Sequence, residues 1–402
     1  MKRPRFLLPL LFVLLVASVA KGQMWDSLAT SSYRIAPSML RQLRVEMDNL
    51  SFFRDNEYSS SLTKGYSLPG LWVQPKLTYV PLSAIRLELG FHALVFNGAN
   101  KYPCYVYHDI ATWKGSQYQK GAHVLPWVRA QAQFRHLTVV LGNLYGGQQH
   151  GFTDVLWNAE ANLSQDPEMG FQLLWDRSRL HSDTWLNWQS YIFEEDTHQE
   201  AFTVGSNWRV QLGDTSSAFR WYLPVQLVVQ HRGGEQDLTD MGVQTISNAY
   251  AGVSFEWLAR RRALTSLGGE AGVQAAYQQS GTLWPFDTGL AVSASVRATL
   301  WNRLGLRAGY FCAPDHFISL YGHPFFSTVS IRDHQSYSGL STAWLHADYH
   351  YTFARDYVLG AGVEAYQCWL GNSAEKTPSN EFNFSFGIYL RLHPSLLIKQ
   401  FR

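Results

Sequence analysis

Two stretches of this 402-residue chain collect side chains able to do chemistry. The first, "NLYGGQQHGFTDVLWNAEANLSQDPEMGFQ" over 143–172, gathers Gly146, Gly147, His150, Gly151, Asp154, Trp157 and Glu160. Its glycines permit a sharp reversal. His150, Asp154, Trp157 and Glu160 offer an imidazole, two carboxylates and an indole face to a sugar or another polar solute. The second, 314–340, holds His316, His323 and His334 with Asp315 and Asp333. Imidazoles near carboxylates are raw material for hydrolysis. A smaller set, Glu194, Glu195, Asp196 and His198, has the oxygen-rich character that suits calcium.

None of the three has a spacing that fixes a reaction. No G-x-S-x-G and no H-E-x-x-H occurs. Acids and imidazoles mixed in polar segments are ordinary content of solvated loops, and the Glu194 set falls in a tight connection where charge is common. From its residues the chain is expected to be no enzyme, with no metal and no cofactor.

The elements around these segments follow a different period. "EFNFSFGIYLRL" (381–392) puts Phe382, Phe384, Phe386, Ile388, Leu390 and Leu392 on one face and Asn383, Ser385, Gly387, Tyr389 and Arg391 on the other. Period-2 alternation over a dozen residues marks a β-strand with one apolar and one polar side. "SAIRLELGFHALVF", "TAWLHADYHYTF", "LAVSASVRATL" and "VRAQAQF" repeat the pattern. The connections alternate between short turns, such as 134–136 and 300–303, and long polar segments near 54–68, 97–122, 147–167, 232–246, 314–340 and 369–379. Counting turns gives about sixteen strands, from 43–53 to 381–392.

Composition agrees. Aromatic residues make up 15% of the chain (15 Trp, 21 Tyr, 23 Phe) and charged residues only 16%, against about 25% in typical soluble domains. The net charge of +2 excludes nucleic acid as a partner. Residues 1–22 have a basic start, an apolar block and small residues before Gln23, which reads as a signal peptide for Sec-dependent secretion. No apolar run approaches a membrane-spanning helix. Strands of 10–13 residues suit a membrane-spanning barrel better than a soluble propeller or sandwich, whose strands average about 5–6. Three cysteines, Cys104, Cys312 and Cys368, make no disulfide framework.

The signal peptide, the two-residue repeats and the final alternating strand resemble the porin-like outer-membrane β-barrels of Gram-negative bacteria. The resemblance covers the mature chain and belongs to an architecture. It implies an all-β fold: a transmembrane antiparallel barrel of about sixteen strands, with short periplasmic turns and long extracellular loops. The divisions expected are a signal peptide (1–22), an N-terminal periplasmic segment (23–42), the barrel (43–392) and a C-terminal tail (393–402). Such barrels usually end on an aromatic, whereas this chain runs on through Pro394 to "LLIKQFR".

The apolar faces would then meet lipid and the polar faces line a lumen wide enough for water. By pattern Lys76, Arg86, Glu88, Arg129, Arg209, Arg220, Glu256, Arg297, Arg307, Asp348, Glu364 and Arg391 point inward, eight basic and four acidic. The expected function is a porin-like channel in the outer membrane for small polar or anionic solutes. The alternative is a non-conducting surface barrel whose loops bind a polysaccharide or a partner protein. Tyr102, Tyr105, Tyr107, Trp113 and Tyr118, crowded into one loop, keep that alternative open.

Overall fold

Adjacent hairpins account for almost all of the structure, a computed structural model describing residues 32–96, 121–193, 198–234, 242–331 without 260 and 262, 333–354, 357–374 and 376–402. The strands are β1 (Gln42–Ser59), β2 (Lys64–Leu82), β3 (Ile85–Phe96), β4 (Gly121–Gln133), β5 (Leu137–Asn143), β6 (Met169–Asp176), β7 (Leu180–Ser190) and β8 (Ala201–Leu212). They continue as β9 (Phe219–Arg232), β10 (Gln244–Leu258), β11 (Leu264–Ser280), β12 (Thr288–Leu300), β13 (Leu304–Ala313), β14 (Leu340–Ala354), β15 (Tyr357–Leu370) and β16 (Ser379–Leu392), with a short β17 (Ser395–Gln400). From β1 to β16 each pairs antiparallel with its sequence neighbour, and β1 also pairs with β16 from Asn49↔Leu392 to Glu57↔Phe384. That last pairing closes a sixteen-stranded barrel, which leaves no open sheet edge in the wall.

Residues 393–402, read from sequence as a tail, do not leave the wall. Pro394 lacks an N–H and interrupts the ladder, but its carbonyl accepts from the Met47 amide at 3.0 Å. Pairing then resumes, with Ser395–Gln400 against Gln42–Glu46 of β1. The expected signal peptide, Cys104, the aromatics at 102–118 and Glu194–Asp196 lie outside the described residues.

Alternation decides facing. On β16 Phe382, Phe384, Phe386 and Ile388 are exposed while Asn383, Ser385, Tyr389 and Arg391 are buried inside. Leu87, Leu89 and Phe91 of β3, Leu290, Val292 and Val296 of β12, and Leu345 and Tyr349 of β14 continue the apolar outer belt. Cys312 sits on that outer face and Cys368 is buried inside. Both thiols are free, because opposite faces of the wall cannot be bridged.

The interior is not polar from end to end. At the extracellular end Val228, Ile246, Ala276, Ala291 and Phe311 also point inward and are buried. They are covered by residues of two loops, 144–168 and 314–339, that fold into the barrel as one apolar plug. Phe152, Leu156 and Trp157 of the first loop pack in a single cluster with Phe317, Leu320, Tyr321, Phe325 and Phe326 of the second. The indole of Trp157 stacks on Tyr321 at 5.1 Å, and the Asn158 amide donates to the Tyr321 carbonyl.

Candidate functional site

The first inward loop is clamped through His150. Its Nδ1 lies 2.7 Å from Asp183 of β7 and its Nε2 2.6 Å from Glu168, at the loop's own return to the wall. The imidazole stacks on Trp185 at 3.5 Å and 6°. Trp185 can lie flat because its cross-strand partner is Gly205, where any Cβ would collide with the indole. A Gly205→Val substitution is therefore expected to cost roughly 1–3 kcal/mol by overpacking, read as a lower temperature for the loss of heat-modifiable gel mobility.

Burial alone would lower the basicity of His150, but Glu168 and Asp183 outweigh it and raise the pKa from 6.5 to about 9. The group is thus an imidazolium locked between two carboxylates, which makes it a clamp rather than a base. A folded-state pKa above the unfolded one stabilises at low pH. The clamp is expected to hold in full below about pH 6.5 and to weaken as pH rises through about 9. Protease cleavage within 144–168, measured across that range, should increase only at the alkaline end.

Glu160 sits in a second buried junction. It is 1% exposed, starts the helical turn Ala161–Ser164, and meets the inner face of β1 and β2. The Arg54 guanidinium approaches its Oε2 at 2.6 Å, Asn56 Nδ2 donates to the same oxygen at 2.8 Å, and the Tyr66 hydroxyl donates to Oε1. Arg54 also reaches both oxygens of Glu364 on β15. Beside this junction Tyr58 bonds His323, whose Nδ1 accepts from the Phe325 amide and whose ring stacks on Tyr366. Burial pushes the His323 pKa down to about 3, so it is a neutral imidazole.

Tyr66 has a second neighbour. With Trp284, Pro285, Ile318, Leu320, Val329 and Ile331 it lines an apolar cavity of about 210 Å³ at the extracellular end. One tyrosine therefore touches both an apolar pocket and a buried carboxylate.

The other sequence candidates fall into separate groups. Lys76, Arg86 and Arg129 converge on Glu88, at 3.8, 2.8 and 3.5 Å, in the periplasmic half. Arg307 pairs with the loop's Asp154 at 2.8 Å, and Arg391 with Asp48 at 2.9 Å. Trp157 belongs to the plug, and Asp348 is buried beside Gly305. Arg209, Arg220, Glu256 and Arg297 remain partly or fully exposed on the inner face of β8–β12. His316 contacts Asp315, while His334 lines the apolar cavity. Pattern reading missed Arg54, Asn56, Tyr58 and Tyr66, which lie on strand ends counted as loop. The aromatic density of "FISLYGHPFF" (317–326) was the available signal for the second plug loop.

The lipid A 3'-O-deacylase-type family model matches residues 35–401, nearly the whole described chain. The chain belongs to this family. A family named for an enzymatic activity overturns the sequence expectation of a non-enzyme. That expectation rested on contiguous motifs such as G-x-S-x-G and H-E-x-x-H, which miss any site built from residues distant in sequence. No curated protein matches this lipid A 3'-O-deacylase-type chain. Among solved structures it is similar to OccAB2 of Acinetobacter baumannii (TM-score 0.49, 11% identity, 90% of this chain and 100% of that one). It is also similar to OccK5 (OpdH) of Pseudomonas aeruginosa (0.47, 9%, 90% and 99%) and OmpT of Vibrio cholerae (0.45, 11%, 88% and 100%). These are likenesses of barrel to barrel, and no activity is taken from them.

Proposed function

We propose that this chain is an outer-membrane hydrolase of Gram-negative bacteria that removes an ester-linked acyl chain from lipid A. The observation that carries the reading is the double contact of Tyr66, which lines the apolar cavity and hydrogen-bonds the buried Glu160. An acyl chain suits the cavity, and its ester then lies at the polar junction. An ionised carboxylate offers about four lone-pair positions. Arg54, Asn56 and Tyr66 take three and leave one for a water molecule.

In this scheme the water oxygen attacks the acyl carbon while Glu160 takes a water proton, in general-base fashion. The developing oxyanion is stabilised by the Asn56 amide, which has a second N–H beyond the one given to Glu160, while the Tyr66 hydroxyl holds the carboxylate in place. Collapse breaks the ester C–O bond, and the proton on Glu160 passes to the leaving sugar oxygen, giving a free fatty acid and an alcohol.

Mass spectrometry of lipid A from cells with and without the intact protein tests the reading. A species lighter by one acyl chain is expected only with the protein. Identical lipid A profiles would remove the proposal.

A solute channel is the second reading. It is favoured by the inner face of β8–β12, where Arg209, Arg220, Glu256 and Arg297 keep exposure that the plug denies the outer half. Planar-bilayer conductance of the purified protein discriminates: steps that persist with the plug intact support it, and a silent bilayer ends it.

A further inference from the structure

Toward its periplasmic end the barrel contains two further cavities, one opening at the mouth and one directly beneath the plug loop 144–168. A vestibule of about 580 Å³ opens on that side, bounded by β1–β4, Ser395 of β17 and the segment 32–41. That segment crosses the mouth as a strap: Tyr33 packs on Tyr145 at 5.9 Å, and the Ile35 amide donates to Gln133. Above the vestibule lies a chamber of about 130 Å³ under the loop 144–168. Lys76, Arg129 and Tyr145 border both spaces.

Charge in the vestibule does not balance. Arg34 is taken up by Asp176 outside the cavity lining. Four cations remain, Arg44, Lys76, Arg86 and Arg129, against the two lining carboxylates Glu46 and Glu88. Arg86 reaches both carboxylates at 2.7 and 2.8 Å. Arg44 donates only to neutral oxygens of Gln42 and Ser395. The Lys76 ammonium makes no hydrogen bond among the described residues: its nearest carboxylate is 3.8 Å away, and the Trp127 ring centroid is at 4.8 Å. Yet Lys76 is only 7% exposed. A largely covered lysine whose ammonium keeps unspent N–H groups is poised to donate to an anion that enters.

The chamber repeats the deficit. His92 is 2% exposed, and its Nδ1 lies 3.0 Å from the Gln74 amide nitrogen, which donates to it. The ring proton therefore sits on Nε2, a covered atom with no partner, on a residue that lines the chamber. Donors with vacant N–H groups thus border both spaces, and the acceptors nearby are already engaged by Arg86, Arg129, Arg391, His123 and His150.

We propose that this periplasmic mouth binds a small free oxyanion of the phosphate or carboxylate type, held by Lys76, guided in by Arg44 and met at its inner end by the Nε2–H of His92. The vestibule opens at the periplasmic mouth, so the ligand is a solute of the periplasm. Excess positive charge between low-dielectric walls concentrates such anions. The inference stands apart from the hydrolase reading, since its readout is anion binding and needs no lipid.

Calorimetric titration of the full-length, detergent-solubilised protein with inorganic phosphate, and separately with acetate, is the test. Saturable binding of one or both is expected, and the preferred ion names the oxyanion class. Lys76→Met should weaken it at least tenfold. Arg44→Gln, which breaks no ion pair, and His92→Phe should each weaken it several-fold with heat-modifiable mobility unchanged, and these two decide the matter if Lys76→Met does not assemble. The absence of saturable binding of either ion, or wild-type affinity in the assembled variants, overturns the proposal.

Discussion

Glu160→Gln is expected to lower acyl release from lipid A by roughly a hundredfold or more, the usual scale for losing a positioned general base. The amide keeps the shape of the side chain and still accepts from Asn56 or Tyr66, but it takes no proton from water. The fold should survive, because Arg54 keeps its two-point contact with Glu364 at 2.7 and 3.2 Å. Removing every partner of a buried charge would instead cost about 3–5 kcal/mol. Tyr66→Phe separates chemistry from structure further. It leaves the ring in the cavity wall and deletes only the hydroxyl, so substrate should still bind while turnover falls. The check is mass spectrometry of lipid A after timed incubation with purified variants, alongside gel mobility before and after heating. Wild-type rates in Glu160→Gln would show that the junction is structural.

Arg substituted for Val296 should impair assembly, at about 2–4 kcal/mol if the site lies near the bilayer midplane. Val296 is 57% exposed on the outer face of β12, where the guanidinium would meet hydrocarbon. Ser295, one residue away, faces inward on the same strand, and its half-exposed side chain is not covered by the plug. Ser295→Arg should therefore assemble like wild type. The pair shares a strand, a height and an added side chain, so only facing differs. The fraction folding into lipid vesicles reads the difference, and equal yields would mean that the outer face does not meet lipid.

The wall was legible because its code is local. "EFNFSFGIYLRL" and "LAVSASVRATL" each state their period and their two faces within a dozen residues, and the turn at 300–303 shows where the chain reverses. The site was not legible, because its parts are assembled by closure. Arg54 meets Glu364 only since β1 pairs with β16, beside β15. Glu160 meets Arg54 only since its loop turns inward. The inner faces misled for a related reason. Alternation predicts which side a residue takes, not what fills the space it points into, and the apolar cap of Val228, Ile246 and Ala291 makes sense only once "FISLYGHPFF" is seen to pack against it. The long loop 314–340 was weighed for its histidines and aspartates, while the residues that place it are phenylalanines.

The plug also sets an order of events. Every wall hairpin joins strands adjacent in sequence, whereas Trp157 and Tyr321 come from opposite halves of the chain. Loop-closure entropy defers such distant contacts until the intervening chain is already organised. A hollow form, with the sequence-adjacent hairpins paired but both loops undocked and the inner apolar cap wet, then precedes the finished molecule. Any partner that captures the hollow form would hold the molecule short of the buried junction, since Glu160 reaches Arg54 only once its loop has docked.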